Sequence, residues 1–87
     1  MPTWTEALTE ADRRTIMTAL DQRGHQYLQH ADNDRPFAAF LLALDSAAHR
    51  TLGVSILDLP DFRWRDPYED GMSPAEALTE AGNTGAL

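Results

Sequence analysis

Apolar residues recur at helical spacing along most of the chain, and nowhere do they alternate as a half-buried strand requires. The clearest pattern runs from Arg35 to Leu52. Phe37, Phe40, Leu41, Leu44, Ala47, Ala48 and Leu52 form one broad apolar stripe there. Asp34 suits the N-cap of this helix, and Pro36 is tolerated in the first turn, where its missing N–H is not needed. Gly53 stands where a left-handed terminating residue belongs. Arg35–Leu52 is therefore expected to be the central helix of the core.

Upstream, Thr3-Trp4-Thr5-Glu6 fits the S/T-x-x-E capping box and predicts a helix start at Trp4, with a weaker second start at Thr9-Glu10-Ala11-Asp12. Ile16, Leu20, Tyr27, Leu28 and Ala31 continue the helical spacing. Gly24 falls inside that pattern, where it costs about 1 kcal/mol relative to Ala or ends the helix. The periodicity favours one helix over Glu10–Ala31, weakened at Gly24. Asp32-Asn33-Asp34 reads as the loop that follows.

Downstream, Ser55 can cap a single turn, with Asp58 three residues on; Ile56, Leu57 and Leu59 pin it to the core, and Pro60 stops it. Because Pro67 disfavours a helical conformation at the preceding residue, Phe62, Trp64 and Tyr68 are not expected on one continuous helix. Asp66 is instead expected as an N-cap, with Pro67 at the first and Glu69 at the third helical position, and Gly71 closing the turn. Ser73-Pro74-Ala75-Glu76 is a strong start signal for a final helix. The fold class that results is all-α: a compact three- to four-helix domain with a short linking turn, one domain over residues 1–82 and a flexible tail over 83–87. Glu10–Ala31 and Arg35–Leu52 are expected to pair as a helical hairpin, with Ser55–Ala81 wrapped across them. Phe37, Phe40, Phe62 and Trp64 are expected to meet in the core.

Composition narrows this picture. With 87 residues there is room for one domain only, and a chain of that size buries just roughly 60% of its unfolded surface. Hydrophobic residues make up 43%, a globular proportion. The apolar run over Pro36–Leu44 is far too short to cross a membrane, and no basic n-region with an apolar core marks a secretory signal. The expected location is the cytoplasm. Cysteine is absent, which removes disulfides, thiolate metal sites and cysteine catalysis. Asp and Glu number 14 against seven basic residues, a formal charge of −7, and every basic residue is Arg. Such a chain is not drawn to nucleic-acid phosphates or to anionic membrane surfaces, so direct nucleic-acid and membrane binding are not expected.

Candidate chemistry is sparse. Counting Asp66 as position 1 of a calcium loop puts Asp70 and Gly71 correctly at positions 5 and 6, but Tyr68 and Ala77 stand where ligands at 3 and 12 are required. Asp45 and His49 lie four apart on the strong helix, a spacing that offers two metal ligands, but nothing nominates a third. Ser46, Ser55 and Ser73 lack a nucleophile-elbow context. There is no Gly-rich phosphate loop. No catalytic residue, cofactor or metal is therefore expected. The segment around Trp64 carries the residue types of binding hot spots. Trp64 and Tyr68 stand beside Arg63 and Arg65, among Asp61, Glu69 and Asp70. The competing reading, in which Trp64 folds back onto a core short of large side chains, weighs more.

The region from about Leu44 to Ala81 resembles a pattern in small uncharacterised proteins of actinobacterial genomes, phages and plasmids. Leu57, Leu59, Asp61, Trp64, Arg65, Asp66, Tyr68, Gly71, Ser73, Pro74 and Ala77 carry it. The resemblance implies an accessory protein, in a setting such as a mobile element, and no particular activity. The expected function is non-enzymatic docking on another protein through Asp61, Arg63, Trp64, Arg65, Tyr68, Glu69 and Asp70. Self-association as a homodimer is a further option. The alternative is an acidic inhibitor that mimics nucleic acid and occupies the basic groove of a nucleic-acid-processing enzyme.

Overall fold

Asp34 sets the start of the longest helix: its carboxylate accepts a hydrogen bond from the Phe37 N–H at 3.4 Å, and Pro36 occupies the first turn. The helix spans Arg35–Leu52 and ends at Gly53, whose φ of 70° is left-handed, as expected of the terminating glycine. The computed structural model describes residues 3–58 and 63–83 and, among them, only helices and turns. In chain order these are α1 (Trp4–Ala7), α2 (Glu10–Arg23), α3 (His25–His30), α4 (Arg35–Leu52), a 3₁₀ turn (Ile56–Asp58), α5 (Arg65–Glu69) and α6 (Pro74–Asn83). The fold is all-α. Its Cα radius of gyration is 12.0 Å, the value of about 12 Å expected for a compact domain of this length.

Helix α4 touches every other element. It is covered on more than one stripe: Ala38, Ala39 and Leu42 are buried along with Phe37, Phe40, Leu41, Leu44 and Ala48. A helix apolar on most of its circumference belongs in the middle of a core. Leu52, expected within the stripe, is instead 45% exposed. Four rings converge on the N-terminal half of α4. Phe40 lies 6.1 Å from Trp4 edge-on, 6.3 Å from Phe37 and 5.3 Å from Tyr68, and Phe37 lies 5.0 Å from Tyr68. Trp64 is buried as expected. Phe62, expected beside it, lies outside the described residues, as do Leu59, Pro60 and Asp61. The aromatic core also recruits Trp4 and Tyr68, which periodicity alone did not nominate.

The expected single helix over Glu10–Ala31 is corrected to two, α2 and α3, divided at Gly24. The reason is steric as well as entropic. A Cβ on residue 24 would meet Leu20 at 2.4 Å from Cδ1, 2.7 Å from its carbonyl oxygen and 2.8 Å from Cα. Only glycine allows the chain to bend this closely over Leu20, which is 1% exposed. Helix α3 then ends in two consecutive left-handed residues, Asp32 (φ 52°) and Asn33 (φ 66°), with the Asn33 N–H donating to the Leu28 carbonyl at 2.9 Å. Asp and Asn are the residues besides glycine that visit this region most readily.

Helix α5 also differs from expectation. Asp66 is not its cap. The helix starts at Arg65, with Trp64 before it in a helical conformation (φ −63°, ψ −22°) and no side-chain cap. Pro67 falls within the first turn, where backbone N–H groups have no intrahelical acceptor, so the proline still sacrifices nothing. The shift places Trp64 and Tyr68 one turn apart, and both are buried. Burial of two large rings outweighs the local preference of the residue before proline. Gly71, at φ 80°, closes the turn as expected, and the Met72 N–H reaches back to the Pro67 carbonyl at 3.0 Å.

Ser73 and Glu76 form the complete reciprocal capping box. The Glu76 N–H donates to Ser73 Oγ at 3.2 Å, and the Ser73 N–H donates to Glu76 Oε1 at 2.9 Å. Helix α6 extends through Gly82 and Asn83, beyond the expected end at Ala81. The hydrogen bonds from Ser73 hold the Glu76 carboxyl below its ordinary value of 4.5. A carboxylate with a lowered folded value stabilises the fold above pH 4.5 and loses that contribution as pH falls through the folded value. Glu76→Gln should therefore lower the thermal midpoint at pH 7 and leave it nearly unchanged at pH 3. An equal loss at both values would show that the ionised box contributes nothing.

Candidate functional site

Two groups of residues were singled out by sequence: the segment 61–71 and the Asp45–His49 pair. The structure treats them differently. In the first, Trp64 and Tyr68 are 7% and 5% exposed. Of the two readings open for these rings, core or contact surface, the burial favours the core, the one given more weight for Trp64. A domain this small needs its largest apolar side chains inside. Burial raises the Tyr68 hydroxyl above its ordinary value of 10.0. Arg65 is exposed but engaged. Its guanidinium sits 4.4 Å above the Phe37 ring centroid, and Nη2 lies 3.2 Å from Asp34 Oδ2. Arg65 thus joins α5 to the N-cap residue of α4. Arg63, Asp66, Glu69 and Asp70 remain exposed, and Asp61 is outside the described residues. What the described residues 63–71 present to solvent is mainly charge. Glu76 and Glu80 extend it along the exposed side of α6.

The second group is richer than its sequence spacing suggests. Asp45 faces inward from α4 and is 3% exposed. A carboxylate so buried must be paired or hydrogen-bonded. Its Oδ1 accepts from the Ser55 hydroxyl and from the Ile56 N–H, each at 2.9 Å, and its Oδ2 accepts from the Tyr27 hydroxyl of α3. Ser55 Oγ also accepts from the Leu57 N–H at 3.3 Å. Ser55 therefore starts the 3₁₀ turn as expected. Asp45 caps the turn from another helix. The carboxylate ties α3, α4 and the 3₁₀ turn at one point. His49 contributes least: its Nε2 is 3.8 Å from Asp45 Oδ2, and its side chain is largely in solvent.

Above this cluster is an open depression of about 270 Å³, rimmed by Arg23, Gln26, Ser46 and His49. Its chemistry is that of a structural knot. Ser55 donates to Asp45 directly, with no imidazole between them, so the order needed to activate a hydroxyl nucleophile is not built. Among the described residues, no group of three or more His, Asp or Glu side chains is placed to hold a metal ion. Sequence reasoning identified Asp45 and His49 but missed Tyr27 and Ser55, which lie 18 and 10 residues away. An aspartate inside an otherwise apolar stripe was the available signal that buried donors had to converge there. No protein-family model, curated protein or solved structure matches the chain.

Burial first, then the hydrogen bond and charge of Asp45, push the Tyr27 hydroxyl up to about 12 from 10.0. A raised value for an acidic hydroxyl means that its contribution is complete below pH 10 and is lost as pH rises through about 12. Tyr27→Phe should cost about 1.5–3 kcal/mol at pH 7, since the bond is to a charged acceptor, and Ser55→Ala about 1 kcal/mol. Urea unfolding checks both. Tyr27→Phe should also flatten the alkaline fall in stability between pH 10 and pH 12, and an undiminished fall would remove Tyr27 from the cluster.

Proposed function

We propose that this chain is a small, non-enzymatic accessory protein that works by docking on another protein through surface charge. The observation that carries the reading is the division of residue types in α5 and α6: large rings inside, acids outside. Asp66, Glu69, Asp70, Glu76 and Glu80 are all exposed; of the two nearby cations, Arg63 is exposed and Arg65 is engaged with Asp34 and Phe37. A surface of this kind suits a basic partner and accelerates its encounter more than it adds affinity. The resemblance of the C-terminal half to small actinobacterial, phage and plasmid proteins supports an accessory role in a bacterial cytoplasm, on a mobile element.

One observation favours a narrower second reading, the nucleic-acid mimic. The seven arginines argue against mimicry only if their charges are free. Four are engaged at the surface: Arg13 by the carbonyls of Thr5, Glu6 and Leu8, Arg14 by Glu10, Arg35 by Asp21 and Arg65 by Asp34. The three ion pairs remove three acids with three arginines, so the net charge stays at −7, with 11 acids against four arginines outside these pairs.

Capture of host proteins should therefore fall steeply between low and high salt. The triple variant Glu69→Lys, Asp70→Lys, Glu80→Lys should lose the partner while keeping its thermal midpoint, because all three sites are exposed. Salt-insensitive capture, or capture unaffected by the reversal, would exclude docking by charge. Competition of the captured partner by duplex or single-stranded nucleic acid would single out the mimic.

A further inference from the structure

The acids of this chain are matched unevenly. Three acids in its first half each face an arginine: Glu10 faces Arg14, Asp21 faces Arg35 and Asp34 faces Arg65. On α6 the matching stops. Glu76 and Glu80 are exposed and four residues apart, a spacing that puts both on one side of the helix. Among the described residues neither carboxylate is paired with a cation. Like charges at this spacing repel and destabilise a helix. Glu80 also stands in the last turn, where the helix dipole disfavours an anion. The fold leaves both costs unrelieved, and a cation supplied from outside would relieve them.

The two glutamates rim an open depression of about 340 Å³, completed by Met72, Ala75 and Thr79. Met72 is half-buried, and a thioether on an unbranched stem adapts its shape to what lies on it. The Thr79 hydroxyl is spent on the Ala75 carbonyl at 3.0 Å. Between the carboxylates the lining is therefore largely apolar. One carboxylate is also fixed in advance. Glu76 Oε1 accepts the Ser73 N–H at 2.9 Å, which leaves Oε2 uncommitted. A group held in place before its ligand arrives loses less freedom on binding.

Two carboxylates beside an apolar lining select the occupant. A metal ion needs more ligands, and among the described residues no group of three or more His, Asp or Glu is placed to hold one. An amphipathic cation satisfies both parts: a methylene stem covers apolar surface while the charged head reaches the acids. Arginine does this better than lysine, because its planar fork can donate to two carboxylates at once. Resting on the reading of this chain as an acidic docking protein, the geometry points to this depression as the seat of one arginine side chain from a basic partner protein.

Titration of the full chain with a blocked tetra-arginine peptide, followed by amide NMR, tests the seat. The shifts should saturate and centre on Met72, Ala75, Glu76, Thr79 and Glu80. Tetralysine carries the same charge without the fork and should bind at least about threefold more weakly. Thr79→Arg supplies a guanidinium in cis, three residues from Glu76, and fills the depression. It should weaken tetra-arginine about tenfold or more and keep the thermal midpoint, since Thr79 is exposed and arginine is the better helix former. Glu80→Gln, which removes charge and keeps shape, should also weaken it. Shifts centred on Asp66, Glu69 and Asp70, equal affinity for the two peptides, or binding untouched by Thr79→Arg overturns the inference. The same amides moving with protein concentration alone, or on addition of magnesium or calcium chloride, would assign the seat to a second copy or to a metal ion and overturn it as well. Docking by charge is judged separately. Partner capture that stays salt-dependent and survives Thr79→Arg strikes the arginine seat alone, whereas salt-insensitive capture strikes the broader reading.

Discussion

Phe40 is completely buried in the N-terminal half of α4, and the rings that reach it come from three other places in the chain: Trp4 from α1, Phe37 from the preceding turn of α4, and Tyr68 from α5. Full burial of a side chain of this size is worth about 1.5–3 kcal/mol, and each favourable ring pair about 0.5–1.5 kcal/mol more. Against a total stability of about 5–15 kcal/mol for a domain, this one cluster is a large share. The need to fill it fixes much else. It draws Tyr68 inward, overrides the proline-based start of α5, and leaves the exposed surface of that helix to Arg65 and the acids.

The locally encoded parts were legible in the sequence. The limits of α4 follow from Asp34 and Gly53, and the start of α6 from Ser73, Pro74 and Glu76, because each signal acts within a few residues of the backbone groups it satisfies. What was not legible depends on contacts between distant residues. The break at Gly24 is forced by the Leu20 side chain beneath it, which periodicity does not register. The first residue of α5 is set by the burial of Trp64 and Tyr68 rather than by Asp66 and Pro67. The partners of Asp45 come from α3 and from the 3₁₀ turn, and only the assembled fold brings Tyr27 and Ser55 to one carboxylate.

The same separation of scales bears on function. Asp45 looks like potential chemistry in the sequence because it stands four residues before His49. In the structure its oxygens serve Tyr27, Ser55 and the backbone, and His49 stands apart at 3.8 Å. The polar cluster fastens the linking turn to two helices. The segment 61–71 looks like an aromatic hot spot, yet Trp64 and Tyr68 belong to the core. Charge is what these helices leave for a partner, and that supports the reading of an acidic docking protein.

The account rests most heavily on the inward placement of Tyr68 and Trp64, and urea unfolding of Tyr68→Ala and Trp64→Ala tests that placement most directly. Loss of either buried ring should cost about 3–5 kcal/mol, as for other large-to-small core substitutions, and should lower the unfolding midpoint accordingly. Unchanged midpoints together with loss of partner capture would place both rings on the surface and contradict the account.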